Sequence, residues 1–243
     1  MSGRLALPTI KVITFDLDNT LWDVQRVMIK AEQHLRSWLT AEVPEVVAHY
    51  SGEALRDLRT TVLAEHPNLV HDLSKLRREV IYQAIRRCGY GRIEAGTRAD
   101  AAFAEFYEAR HRVEYFEGAL ETLATLAENY LLGALTNGNA DFKKLQLDRF
   151  FSFGVSSADV GVGKPAPDMF INALNRADAL AVEAIHVGDH LIDDIQGAAT
   201  VGMHTIWVNL KDQPLMPDTI NPSATVSRIS DVPASVVAIE QTP

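Results

Sequence analysis

The pattern of apolar and polar positions opens with a short run, Val12-Ile13-Thr14-Phe15, whose β-branched and aromatic residues suit a buried strand. From there to about residue 112 the period is helical. Val24, Val27, Met28, Ala31, Leu35, Trp38 and Leu39 recur at steps of three and four, giving one apolar stripe that Pro44 interrupts. Leu55, Leu58 and Val62 predict a second helix, closed by His66-Pro67-Asn68. Leu73, Leu76, Val80, Ile81, Ala84, Ile85 and Cys88 predict a third, ended by Gly89-Tyr90-Gly91. Ala102, Phe103, Phe106 and Tyr107 mark a fourth, with Thr97 as its expected N-cap. This block shows no strand signal and no repeat of fixed period.

Beyond Phe116-Glu117-Gly118 the pattern changes. A helix over 118–128 precedes the run Leu131 to Leu135, a further helix precedes Phe153 to Ser156, and Ala184 to Val187 and His204 to Val208 complete the series. Alternating strands and helices predict a parallel sheet with helices on both faces. Val12 to Phe15 supplies its first strand, so the helical block reads as an insertion. The expected division is a core domain of 1–21 with 113–243 and a helical domain of 22–112. Pro214, Pro217, Pro222 and Pro233 predict a surface tail, with one more strand near Thr225.

Composition narrows the partners. A formal charge of −9 disfavours nucleic acid and anionic membranes, but not a phosphorylated small molecule in a locally positive site. Cys88 is the single cysteine, sits in an apolar helical pattern and suits a reducing compartment. No run approaches the roughly 18 apolar residues of a membrane span, and Met1 to Ile10 carries no signal-peptide core, so the expected location is the cytoplasm. Oligomeric state is left open.

The chemistry gathers where the strands should end. Asp16 and Asp18 follow the first strand at a spacing that points both carboxylates to one face. Two anions so close ask for a cation or a shared proton, and Mg2+ takes oxygen ligands from one or two carboxylates plus phosphate. Thr136-Asn137-Gly138 follows the second strand, Gly163-Lys164-Pro165 comes after the third, and Gly188-Asp189 with Asp193 and Asp194 follows the fourth. Ligands of open parallel sheets bind beyond the carboxyl ends of the strands, which is where such distant residues converge. Taken singly, each has an ordinary reading: a turn, a solvated lysine, acids at a helix start.

Taken together they suit phosphoryl transfer. Asp16 is the candidate nucleophile, and Asp18 the acid that protonates a leaving oxygen and later deprotonates water. The Thr136 hydroxyl and the Asn137 amide would hold nonbridging oxygens, with Lys164 offsetting the charge. Asp189 would complete the metal's carboxylate set, with Asp193 and Asp194 holding metal-bound water or orienting Lys164.

These four segments, in this order, resemble the motifs of the haloacid dehalogenase superfamily: Asp16-Leu17-Asp18-Asn19-Thr20-Leu21 the first, Thr136-Asn137-Gly138 the second, Lys164-Pro165 the third, Gly188-Asp189 with Asp194 the fourth. The resemblance implies an α/β fold, a Rossmann-like parallel-sheet core with an inserted all-helical cap, and Mg2+ held by Asp16, Asp189 and the Asp18 carbonyl. Dehalogenating members work without metal and lack the second acid of the first motif, so Asp18 favours a phosphatase; phosphomutases keep both acids. Asn19 stands where many relatives have Asp, and His190 where many have Ser or Asp.

A narrower resemblance rests on Ile13 to Asp18, His71-Asp72 with Arg77, and Leu135 to Ala140. It points to the bacterial phosphatases of riboflavin synthesis, which act on 5-amino-6-(5-phospho-D-ribitylamino)uracil and on FMN. Nucleotide-directed and broad sugar-phosphate relatives share much of the pattern. In this type the cap closes over the leaving group, and Trp22, His71 and Arg77 are the expected lid residues; the bland alternatives are hinge packing for Trp22 and a helix cap at His71-Asp72. Two other classes stay open, a receiver-like switch phosphorylated on Asp16 and a flavin- or nucleotide-binding module without catalysis.

Overall fold

The structure is a computed structural model that describes residues 9–215 and 220–242. Pro217 of the tail and the first eight residues of the chain's start lie outside the described residues. The chain divides into two compact units, one running to Asp23 and resuming at Glu114, the other Val24–Val113.

The Val24–Val113 unit is helical: α1 (Val24–Glu42), α2 (Pro44–His49), α3 (Glu53–Glu65), α4 (Leu73–Arg87) and α5 (Arg92–Arg110). Its core is the set of apolar stripes turned inward, with Leu35, Leu58, Leu76, Ile85 and Phe106 all buried. Pro44 does more than stop α1: it occupies the first turn of α2, where a missing N–H costs nothing. Asp72 caps α4 by accepting the Lys75 backbone N–H at 2.9 Å. Thr97 is not an N-cap. It lies inside α5, its hydroxyl donating to the Ile93 carbonyl at 3.2 Å. The first turns of α5 bury only Ala95 and Ala99, side chains too small to announce the stripe.

The other unit carries a six-stranded sheet of β1 (Val12–Phe15), β2 (Leu131–Thr136), β3 (Phe153–Ser156), β4 (Ala184–Gly188), β5 (His204–Val208) and β6 (Ala224–Val226). Their order is β3-β2-β1-β4-β5-β6, and every neighbouring pair is parallel. The helices α6 (Ala119–Ala127), α7 (Ser157–Val160), α8 (Pro167–Ala177), α9 (Gly197–Thr200) and α10 (Val232–Glu240) connect and flank the strands. β1 is flanked by β2 and β4, both of which follow it in sequence, so strand order reverses there. Such a reversal opens a crevice at the carboxyl ends. All four residues of β1 are buried, which accounts for its unbroken apolar run.

The units part at Asp23 and Glu114 rather than at 21 and 113 because Trp22 stays with the sheet unit. It forms isolated bridges to Asp18 and Tyr115 and stands edge-on to the Tyr115 ring.

Candidate active site

Register places the site. Thr14 pairs with Gly133 and His186, Phe15 with Ala134 and Val187, so Asp16 leaves β1 level with the ends of β2 and β4. Asp16, Lys164 and Asp194 are all buried there. The Lys164 ammonium donates to Asp16 Oδ1 at 2.7 Å, to Asp194 Oδ1 at 2.6 Å and to the Leu135 carbonyl at 2.9 Å. An ammonium has three protons, and all three are placed. The two carboxylates hold Lys164 protonated, well above its ordinary value, against the burial that opposes it.

Asp194 reaches this lysine through local backbone geometry. It lies in a π-helical turn, Leu191–Gln196, in which the Asp194 and Ile195 N–H groups both donate to the His190 carbonyl. Wide turns of this kind recur at functional sites. Its carboxyl folds back over the end of β4, where Gly188 leaves room: a Cβ there would fall 2.3 Å from Asp194 Cγ. Burial opposes ionisation, but Lys164 and His186 hold the Asp194 carboxyl below the usual carboxylate range.

Asp189 stands at the same strand end. The Thr20 hydroxyl lies 3.1 Å from Asp16 Oδ2 and 3.4 Å from Asp189 Oδ1, and Trp207 Nε1 donates to the Asp189 carbonyl at 2.8 Å. Burial first, then the charge of Asp194, pushes the Asp189 carboxyl up to about 6. Burial likewise pushes Asp16 up, and Asp194 and Asp189 add to that, with Lys164 opposing. One oxygen each from Asp16, Asp189 and Asp194 lie within 4.8 Å of one another. Three carboxylates around one ammonium leave negative charge uncompensated, and an all-oxygen donor set suits a hard divalent cation such as Mg2+. These residues fit such an ion.

The turn after β2 divides its labour. Thr136 Oγ1 accepts the Gly138 N–H at 2.9 Å, which leaves its own proton to donate. The Asn137 side-chain amide is spent on Lys164, accepting its backbone N–H at 2.7 Å and donating to its carbonyl at 2.9 Å. Asn137 thus clamps the lysine's backbone. Gly138 likewise commits its N–H to Thr136.

Asp18 is partly buried, and Trp22 Nε1 donates to its Oδ1 at 2.8 Å. Trp22 is wholly buried, so it does not present a lid surface; it aims the Asp18 carboxyl. Asp18 is not among the three acids that converge on the candidate cation site. Asp193 is not among the three partners of the Lys164 ammonium, and its Oδ2 lies 3.6 Å from His190 Nδ1. In the helical unit, Arg77 pairs with Glu32 and lies 3.8 Å over the Phe106 ring, and His71 ends the 3-10 turn Pro67–His71 beside the Asp72 cap. Asp159, at the end of the third run, forms a capping box with Ser156.

Sequence reasoning passed over Thr20, His186 and Trp207. Thr20 was detectable as a hydroxyl four residues after Asp16; His186 was hidden inside an apolar strand. A cavity of about 240 Å³ opens beside Asp189, its walls including Asn19, Asp23, Phe116, Asn209 and Lys211. Among the described residues no helix is long and apolar enough to cross a membrane.

The chain is 32% identical over 210 residues to the 5-amino-6-(5-phospho-D-ribitylamino)uracil phosphatase YigB of Escherichia coli, covering 86% of this chain and 88% of that protein. It is 32% identical over 206 residues to the glyceraldehyde 3-phosphate phosphatase of Pyrococcus abyssi, with 82% and 81% covered. The crystal structure of a 2-haloacid dehalogenase from Pseudomonas syringae pv. Tomato DC3000 superposes with a TM-score of 0.90 at 40% identity, covering 95% and 99% of the two chains. Residues 10–202 match the haloacid dehalogenase-like hydrolase family as a whole, and with its parallel sheet and the acids at the strand ends the chain belongs to that family of enzymes.

Proposed function

We propose that this chain is a Mg2+-dependent phosphomonoesterase of small phosphorylated metabolites that works through a phosphorylated Asp16. The observation that carries the reading is Lys164 bridging the carboxylates of Asp16 and Asp194 with Asp189 beside them. Asp16 and Asp189, with Asp194 behind them, would hold the cation. When bound, the ion offsets repulsion among the acids and between them and the phosphate. Asp16 then attacks phosphorus as a carboxylate, with Lys164 fixing its Oδ1. Asp18, aimed by Trp22, donates its proton to the leaving oxygen and afterwards takes one from the water that releases Asp16. The Thr136 hydroxyl donates to a nonbridging oxygen as charge shifts.

The substrate we favour is 5-amino-6-(5-phospho-D-ribitylamino)uracil, with FMN as a second. The likeness to YigB over most of both chains supports it. Pyrimidine nucleotides and sugar phosphates are the alternatives, and the named activity of the Pyrococcus abyssi relative belongs with them. The cavity beside Asp189 would receive the first atoms of the leaving group. The reading implies a cytoplasmic enzyme, in keeping with a single cysteine.

One observation favours a second reading: the Pseudomonas syringae structure bears the name of a dehalogenase. A departing halide needs no proton, whereas this chain has Asp18 and a tryptophan that holds it. The test is hydrolysis of p-nitrophenyl phosphate, the ribityl phosphate, FMN and pyrimidine nucleotides, with and without Mg2+, beside halide release from 2-haloacids. Multiple turnover on phosphates that needs Mg2+ and vanishes in Asp16→Asn is the expected result. Halide release without phosphate hydrolysis would overturn it.

A further inference from the structure

We propose that His186 is a positioning residue for this hydrolase, an imidazole whose Nε2–H locks the Asp194 carboxyl onto Lys164. The proposal rests on the phosphatase reading above for what the lock accomplishes, and on geometry alone for the lock itself.

His186 lies within β4, directly opposite Thr14 of β1 in the register, two residues before Gly188 and Asp16 respectively. Its side chain is fully buried. Nδ1 lies 2.8 Å from Thr14 Oγ1, and Nε2 lies 3.2 Å from Asp194 Oδ1. The Phe170 ring stands edge-on to it, centroids 5.1 Å apart at 83°. An ionised carboxylate only accepts, so the proton facing Asp194 must sit on Nε2. With the ring's proton on Nε2, Nδ1 accepts from the Thr14 hydroxyl, of whose two partners it is the nearer. The other oxygen near that hydroxyl, the Ile185 carbonyl, is farther, at 3.4 Å.

A continuous file of donors follows. Thr14 donates to His186, and His186 donates to Asp194 Oδ1. The same oxygen receives Lys164, which in turn holds Asp16. Asp194 Oδ2 is fixed separately by the His190 backbone N–H at 2.9 Å. Three N–H donors from three segments thus set the rotation of one carboxyl. Gly188 supplies the space in which it turns. Without the imidazole donor, Asp194 can swing about its Cβ–Cγ bond, and the ammonium that orients the nucleophile swings with it.

Two measurements test this. Long-range 1H–15N correlation of the cation-free protein reads the tautomer directly, with the His186 signals assigned by their loss in His186→Gln. A proton on Nε2 is expected; a ring protonated at Nδ1 alone overturns the proposal. The second is kinetic, on p-nitrophenyl phosphate with Mg2+. Thr14→Val removes the hydroxyl that fixes the tautomer while keeping shape, and should lower kcat about tenfold with KM within about twofold. Thr14→Ser should restore it. His186→Phe, which keeps a ring, should lose more than His186→Gln, which can still offer an N–H. Folded Thr14→Val and His186→Phe proteins with wild-type kcat would reduce His186 to packing and overturn the proposal. If the wild-type protein hydrolysed no phosphate ester, the functional reading would fall, and the tautomer measurement would still decide the lock.

Discussion

In the sheet unit, an ammonium lies within 2.7 Å of each of two carboxylates, out of water and held by a π-helical turn, a glycine and a buried histidine. In the helical unit, Arg78 meets Asp100 at 2.8 Å and Arg98 meets Glu94 at 3.1 Å, yet those acids are 67% and 54% exposed. Contact lengths are alike, but consequences differ. Exposed pairs contribute about 0–1 kcal/mol, whereas removing one partner of a buried set costs about 3–5 kcal/mol. The sheet unit therefore concentrates this charge chemistry where each group depends on its neighbours, whereas these two pairs of the helical unit sit on its solvated surface. Reaction type belongs to the first, and a change of reaction there also threatens the fold. The second can vary its surface at little cost.

Lys164→Met would expose that contrast most strongly. It leaves Asp16 and Asp194 buried without their cation, and the account predicts a fall in kcat of about a hundred- to thousandfold with a stability loss of about 3–5 kcal/mol. Steady-state kinetics and chemical denaturation read both. Gly188→Ala removes no functional group, yet its Cβ would collide with the Asp194 carboxyl. Activity should fall about a hundredfold, because a misplacement on the scale of 1 Å suffices for that. Full activity would show that Asp194 need not sit where it does.

Trp22→Phe keeps the packing against Tyr115 and removes the donor to Asp18. Hydrolysis of alkyl phosphates should drop about tenfold, and that of p-nitrophenyl phosphate less, since a good leaving group needs less help from an acid. Equal losses on both substrates would remove Asp18 from leaving-group protonation.

A smaller effect concerns the charge balance of the acids. Asp189 has its pKa raised from the ordinary 3.8 to about 6, so the cation-free fold binds that proton more tightly than the unfolded chain. The associated stability is fully present below about pH 4 and is lost as pH rises through about 6. An ion that needs the ionised carboxylate acts in the opposite sense. The Tm increase caused by Mg2+ should therefore grow from pH 5 to pH 7.5, by a few degrees for a chain of this size. A Tm shift equal at both pH values would mean the ion does not bind Asp189.

Least affected should be the helical unit. Arg77 is engaged with Glu32 and Phe106, so Arg77→Ala should cost about 1 kcal/mol of stability and leave the ratio of kcat/KM on ribityl and nucleotide phosphates unchanged. A changed ratio would return Arg77 to the role the sequence suggested for it.

These contrasts also show what the sequence could reveal. Apolar period was sufficient for the strands at Val12, Leu131, Ala184 and His204, because each is a run buried in the sheet, and for the edge strand at Phe153, which buries only Val155. Strand order was not legible, since pairing depends on contacts far apart in the chain. Asp16, Lys164 and Asp189 stood out as polar groups at strand ends. Asp194 and Asp193 did not separate, because which of two adjacent acids turns inward is decided by the wide turn at Leu191–Gln196. Trp22 read either as a lid residue or as hinge packing, and it is buried, its indole N–H donating to Asp18. Thr97 misled because small alanines carry the buried face of α5.

The covalent fate of Asp16 tests the central claim most directly. Rapid acid quench of the Mg2+-loaded protein during turnover of a 32P-labelled phosphate ester, followed by peptide mapping, should place the label on the peptide that contains Asp16, and Asp16→Asn should carry none. Turnover that proceeds with no labelled protein, or with the label on another residue, would contradict the account.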